Sequence, residues 1–208
     1  MKRFLVICAI ALFCFSCSST KRATEKIAIV ADMDPFSLGS INSSVDHLLS
    51  IGLKTTDMEV VFFPRENEVA INFTLDFSDY WQFWNEAARQ SFIEAVNNYR
   101  EDTANKKLIN DYRKSRAIYG TVKGRVVWSS SIISMAEIYW ALPSIDLGYR
   151  VIGNAQYFST NQKVAKEESG INIDVKESWQ FPMYFTLAQC EELAKLFDQA
   201  YLRESVEK

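Results

Sequence analysis

The chain has 208 residues, 48% hydrophobic and 13% aromatic, with 23 basic side chains against 26 acidic ones and a formal net charge of −3. That balance argues against the unspecific hold on phosphates that Lys- and Arg-rich proteins use, so no nucleic-acid partner is expected. With a single histidine, and only Cys190 of the four cysteines expected to remain in the folded part, no zinc site built from several His or Cys ligands is expected.

The chain opens on Lys2 and Arg3, followed by an uncharged apolar stretch from Phe4 to Phe15. At about twelve residues this is well short of the roughly 20 a membrane-spanning helix needs. A positive start and a short apolar core are the parts of an export signal. Ser16-Cys17-Ser18-Ser19-Thr20-Lys21 then resembles a lipoprotein box, relaxed in the manner of spirochaete lipoproteins, with Cys14 where an aliphatic residue is usual. The resemblance implies cleavage before Cys17, a diacylglycerol on its thiol, and a membrane partner reached through that lipid. An ordinary cleaved secretory signal and a retained anchor stay open as alternatives. The expected division is a signal peptide over 1–16, a tether over 17–26 and a single domain over 27–208. Cys190 is then the one cysteine of the folded part, so no intramolecular disulfide is expected.

Along the domain, residues 27–30 read as a brief edge strand. Over 32–54 Val45, Leu48, Leu49 and Leu53 keep a helical spacing that Gly39 and Gly52 interrupt, and a short helix at best is expected. Residues 59–63 and 68–77 predict a hairpin, since Val69, Ile71, Phe73, Leu75 and Phe77 alternate with Ala70, Asn72, Thr74 and Asp76. Ser78 stands where a helix cap belongs. Trp81, Trp84, Ala88, Phe92, Ala95, Val96 and Tyr99 continue at spacings of three and four, predicting a long helix to about Tyr112. Strands are expected over 117–128, 145–152, 156–163 and 179–185. Thr186 and Gln189 fit a capping box opening a last helix, with Leu187, Cys190, Leu193, Ala194, Phe197 and Tyr201 as its buried stripe. The fold class expected is α+β, a mainly antiparallel sheet of about six strands. A long central helix and a C-terminal helix cover one face, in the order ββ-α-ββββ-α. The run Tyr184-Phe185-Thr186-Leu187-Ala188-Gln189-Cys190-Glu191-Glu192-Leu193 resembles the final strand and helix of uncharacterised spirochaete lipoproteins, which implies a location and no activity.

Motifs for chemistry are few. His47 is the single histidine and no G-x-S-x-G accompanies it, so it reads as an ordinary residue. Neither a P-loop nor G-x-G-x-x-G occurs, and no cofactor is expected. Asp32-Met33-Asp34 reads as a turn rather than a hard-cation site. Glu167-Glu168 and Glu191-Glu192 read as solvated faces. Gly120 and Gly124 fall on one strand face, where they would let a ring pack on the backbone. The aromatics stand out. Tyr80 and Phe83 flank the stripe in Tyr80-Trp81-Gln82-Phe83-Trp84, and Tyr139 and Trp140 lie in the apolar segment 129–143. Tyr80, Phe83, Tyr139 and Trp140 are therefore the candidate contact residues. The function expected is a lipid-anchored protein of the bacterial cell envelope, most simply a non-catalytic module with an envelope protein as partner. The alternatives are a carrier with a cavity for a small apolar ligand, and an enzyme with a carboxylate or tyrosine site.

Overall fold

The computed structural model describes residues 29–46, 53–75, 78–130, 138–168 and 176–207. Among these the elements are β1 (Phe36–Asp46), β2 (Leu53–Phe63), β3 (Glu68–Leu75), β4 (Ser78–Trp84), α1 (Glu86–Ala104), α2 (Tyr112–Ser115), β5 (Gly120–Lys123), β6 (Arg125–Ser130), β7 (Ile138–Ala141), β8 (Ser144–Ile152), β9 (Ala155–Gln162), β10 (Phe181–Phe185), α3 (Leu187–Phe197) and α4 (Gln199–Val206). No helix among the described residues is long and apolar enough to cross a membrane.

The hairpin of β2 and β3 lies where the alternation places it, with Val60 opposite Ile71 and Phe62 opposite Val69. Two departures around it overturn the expected fold class. The first is β1, an eleven-residue strand where the spacing predicts a short helix at best. Its inward positions Ile41, Ser43 and Val45 are all buried, but a serine among them breaks the apolar alternation that marks a strand. The second is β4. Ser78 to Trp84 is not the first two turns of a helix but a strand antiparallel to β3, with Trp84 opposite Val69 and Tyr80 opposite Phe73. Tyr, Trp and Phe suit a pleated surface, and the local run satisfies both periods. The tertiary pairing decides it. The helix cap is Asn85 instead of Ser78, its Oδ1 accepting the Ala88 N–H at 2.9 Å. From there Ala88, Phe92, Ala95, Val96 and Tyr99 form the buried stripe of α1, which stops at Ala104, short of Tyr112.

The sheet is one antiparallel system of ten strands in the order β5-β8-β9-β10-β1-β2-β3-β4-β6-β7. Its two ends belong to one hairpin. β5 runs into β6 across Gly124, and β7 into β8 across Leu142 and Pro143. A single register continues through both breaks, from Ser129 opposite Ile138 to Gly120 opposite Leu147. Gly124 is needed at the bend, because a Cβ there would stand 2.8 Å from Ile145 Cδ1 and 3.3 Å from the Phe83 carbonyl. Its close neighbours are thus an aliphatic side chain and a strand backbone, not the ring expected from sequence.

The sheet therefore curls into a barrel-like wall with a concave inner face. Side chains meet across it. Phe181 of β10 lies 5.5 Å from Phe73 of β3 and 5.3 Å from Tyr80 of β4, ring centre to ring centre. The Gln82 amide of β4 donates to Gln162 Oε1 of β9 at 2.9 Å, and Trp84 Nε1 donates to Gln82 Oε1 at 3.2 Å. One end is plugged by helices. Phe92 of α1 packs on Trp84, Phe158 and Phe197, the last from α3. The helices thus close an end of a curled wall instead of covering one face of a six-stranded sheet. The capping box at Thr186 and Gln189 is formed, and Cys190, Leu193 and Phe197 are buried beneath it.

Candidate functional site

Strand parity divides the aromatic residues between two faces. On β4, Tyr80, Gln82 and Trp84 point inward while Trp81 and Phe83 point outward. Tyr80 is 1% exposed and stacks on Phe73 at 5.6 Å. Tyr139 of β7 is likewise inward, 6% exposed and stacked on Trp128 at 5.6 Å. Phe83 and Trp140 lie on the outer face. Of the four candidate contact residues, two line the core and two share an outer surface. Cys17 and His47 lie outside the described residues.

The outer surface holds more rings than sequence spacing suggested. Ala70 of β3 sits between Val61 of β2 and Phe83 of β4, and its small side chain lets rings of β2 and β4 meet above it. Phe63 contacts Phe83 at 5.2 Å and Trp81 at 6.2 Å, and Trp81 stacks on Phe83 at 6.3 Å. Trp81 stands opposite Val127, and Val127 opposite Trp140, so an apolar band crosses β4, β6 and β7. Phe63, Trp81, Val127 and Trp140 are all half-buried. Trp81 and Phe63 were absent from the candidates because a helical period assigns Trp81 to the core. A period of two would have exposed it.

Charge frames this band. The Arg125 guanidinium lies 3.8 Å over the Phe83 ring and pairs with Glu68, a cation–π contact that fixes both side chains. Beside them a surface cleft of about 440 Å³ opens at the Gly124 bend, with Phe83 and Leu142 as apolar lining and Glu68, Lys123, Arg125 and Glu168 around it. Neither Lys123 nor Glu168 has an ion-pair partner among the described residues.

Two buried charged side chains, Arg89 and Asp146, are held structurally. Arg89 of α1 is 1% exposed. All five of its N–H groups donate, to Asn67 O and Oδ1, Trp84 O, Phe197 O and Gln199 Oε1. It ties the β2–β3 turn to the end of β4 and to the α3–α4 junction. Asp146 of β8 is fully buried on the outer wall, neutralised by Lys163 at 2.9 Å and Arg116 at 3.3 Å and accepting from Thr121 at 2.8 Å. Burial raises the phenols of Tyr99 and Tyr112 to about 12 and pushes Tyr119, which donates to Asp102, higher still. All three move away from the range in which a phenol works as a base. Among the described residues no group of three His, Cys, Asp or Glu side chains is placed to hold a metal ion.

No curated protein and no solved structure matches the chain. A family model described as an uncharacterised Treponema protein matches residues 35–204, from the residue before β1 into α4, and the chain belongs to that family.

Proposed function

We propose that the chain is a non-catalytic, lipid-anchored protein of the bacterial envelope that contacts another protein through the outer aromatic face. The observation that carries this is the band of Phe63, Trp81, Val127 and Trp140, half-buried on a wall whose other outward side chains include exposed Asn42, Glu59 and Asp79. Rigid aromatic side chains that are partly open to solvent are what protein interfaces use as anchors. The lipid part rests on the Cys17 context and agrees with a spirochaete family. The carrier alternative has less support, because Phe73, Tyr80 and Phe181 fill the interior where a ligand would sit. An enzyme has less still, since Asp146 is already paired with two cations and the displaced tyrosine pKa values all rise.

A photo-crosslinker placed at Trp140 in the producing cell tests the reading, with Glu192 on the exposed side of α3 as the control position. A defined protein adduct from position 140 and none from position 192 supports it. Equal labelling, or none, refutes it. The anchor is read separately, by loss of labelled palmitate from the band in Cys17→Ser.

A further inference from the structure

We infer that the partner of the outer face is a second copy of the same chain, docked about a two-fold axis at the Gly124 bend. The inference rests on the partner-binding reading above and specifies its occupant. The cleft carries an apolar centre, Leu142 at 43% exposure beside half-buried Trp140. It also carries a cation, Lys123, and a carboxylate, Glu168, both exposed and neither ion-paired among the described residues. A two-fold contact joins the same patch to itself, so a residue at one position meets a different one on the partner. With the axis through Leu142, each Lys123 faces the other copy's Glu168. Both charges are then matched, while Leu142 and Trp140 of the two copies bury one another. The second pair around the cleft, Arg125 and Glu68, is satisfied within the chain and needs nothing from outside. A foreign partner would have to present both signs of charge in one fixed arrangement. A second copy presents them by construction. Charges at such a rim decide who pairs more than how tightly, because a like-charge juxtaposition is costly.

The full acylated chain is co-expressed in two differently tagged copies, and membranes dissolved in mild detergent are captured on one tag and probed for the other. Wild type should capture wild type. Lys123→Glu should fail to capture itself, with a loss of about tenfold or more, because two carboxylates then face each other on each side. Glu168→Lys should fail in the same way with two cations. Lys123→Glu paired with Glu168→Lys should recover capture, since every facing pair is again opposite in sign. Recovery also shows that both variants fold. Single reversals that still self-capture, or a mixed pair that does not, overturn the inference. Wild type that fails to self-capture, while position 140 crosslinks to a different protein, overturns self-association and leaves the partner reading standing. Failure of both experiments overturns both.

Discussion

Arg89→Met is the most informative single change to the fold. The side chain is buried and its five donors reach five acceptors on four parts of the structure. Methionine fills much of the same volume and leaves those acceptors without a donor. Gln199 Oε1 is only part-buried and can turn to water. The remaining four, on Asn67, Trp84 and Phe197, cost roughly 1–3 kcal/mol each where no water reaches them. Against this, burial lowers the guanidinium from 12.5 to about 10, a desolvation cost on the order of 3 kcal/mol that the substitution removes. The net loss is then roughly 1–9 kcal/mol, whose middle is a large part of the roughly 5–15 kcal/mol that typically separates folded from unfolded. Arg89→Lys sharpens the test. An ammonium keeps the desolvation cost but offers three donors from a single point, not a planar fork of five. The chemically conservative change should therefore be at least as damaging as methionine. Urea unfolding followed by tryptophan fluorescence gives both values. Arg89→Met within about 0.5 kcal/mol of wild type, or a lysine variant clearly more stable than the methionine one, would show that the clamp contributes little.

Two further outcomes follow from the division of faces and from the buried phenols. Trp84 is fully buried against Phe92 at 5.6 Å and Phe197 at 5.3 Å, so Trp84→Ala should cost roughly 3–5 kcal/mol in the same urea assay. Phe83, on the outer face and held by Phe63 and Arg125, should cost nearer 1–2 kcal/mol, and a reversed order would mean that the strand faces are misassigned. Burial raises Tyr99 and Tyr112 from 10.0, and Cys190 from 9.0, to about 12. The folded state therefore holds these protons more tightly than the unfolded chain. The stability this supplies is complete below pH 9 and is lost as pH rises towards 12. Phenolate absorbance should appear together with unfolding, and the native Cys190 thiol should resist alkylation. Ionisation of every tyrosine near pH 10 in a still-folded protein contradicts this.

The β2–β3 hairpin and the α3 cap were legible in the sequence because each rests on local chemistry: the alternating apolar side chains from Val69 onward in one case, Thr186 and Gln189 in the other. β4 was not. Trp81, Trp84 and Ala88 keep helical spacing although Trp81 faces out and Trp84 faces in, and Ser78-Asp79 imitates a cap that Asn85 in fact provides. β1 was hidden because Ser43 occupies an inward position among apolar ones. Those errors carried over to the candidate site. Aromatic density singles out Tyr80, Phe83, Tyr139 and Trp140 alike as possible contact residues, and the structure puts the first and third inward and the other two on the outer face. Only strand parity tells the two pairs apart, and parity is unknown until the strands are. Lys123 and Glu168 line one cleft, with Glu168 seated by its backbone N–H on the Trp140 carbonyl at 2.9 Å, which no local spacing announces.

The pairing of β1 with β10, Ser44 opposite Tyr184 and Val45 opposite Met183, has a consequence for how this chain comes into being. Contacts between its first and last strands close a loop covering most of the sequence, the kind of pairing that makes folding slow because its entropy is lost before any contact compensates. Until β10 has arrived, β1 has only β2 beside it, and the curled wall has an open seam that exposes the apolar inner face. Strand β1 therefore has no permanent seat until Met183 and Tyr184 are available to pair with it, so the wall closes only after most of the chain has been made.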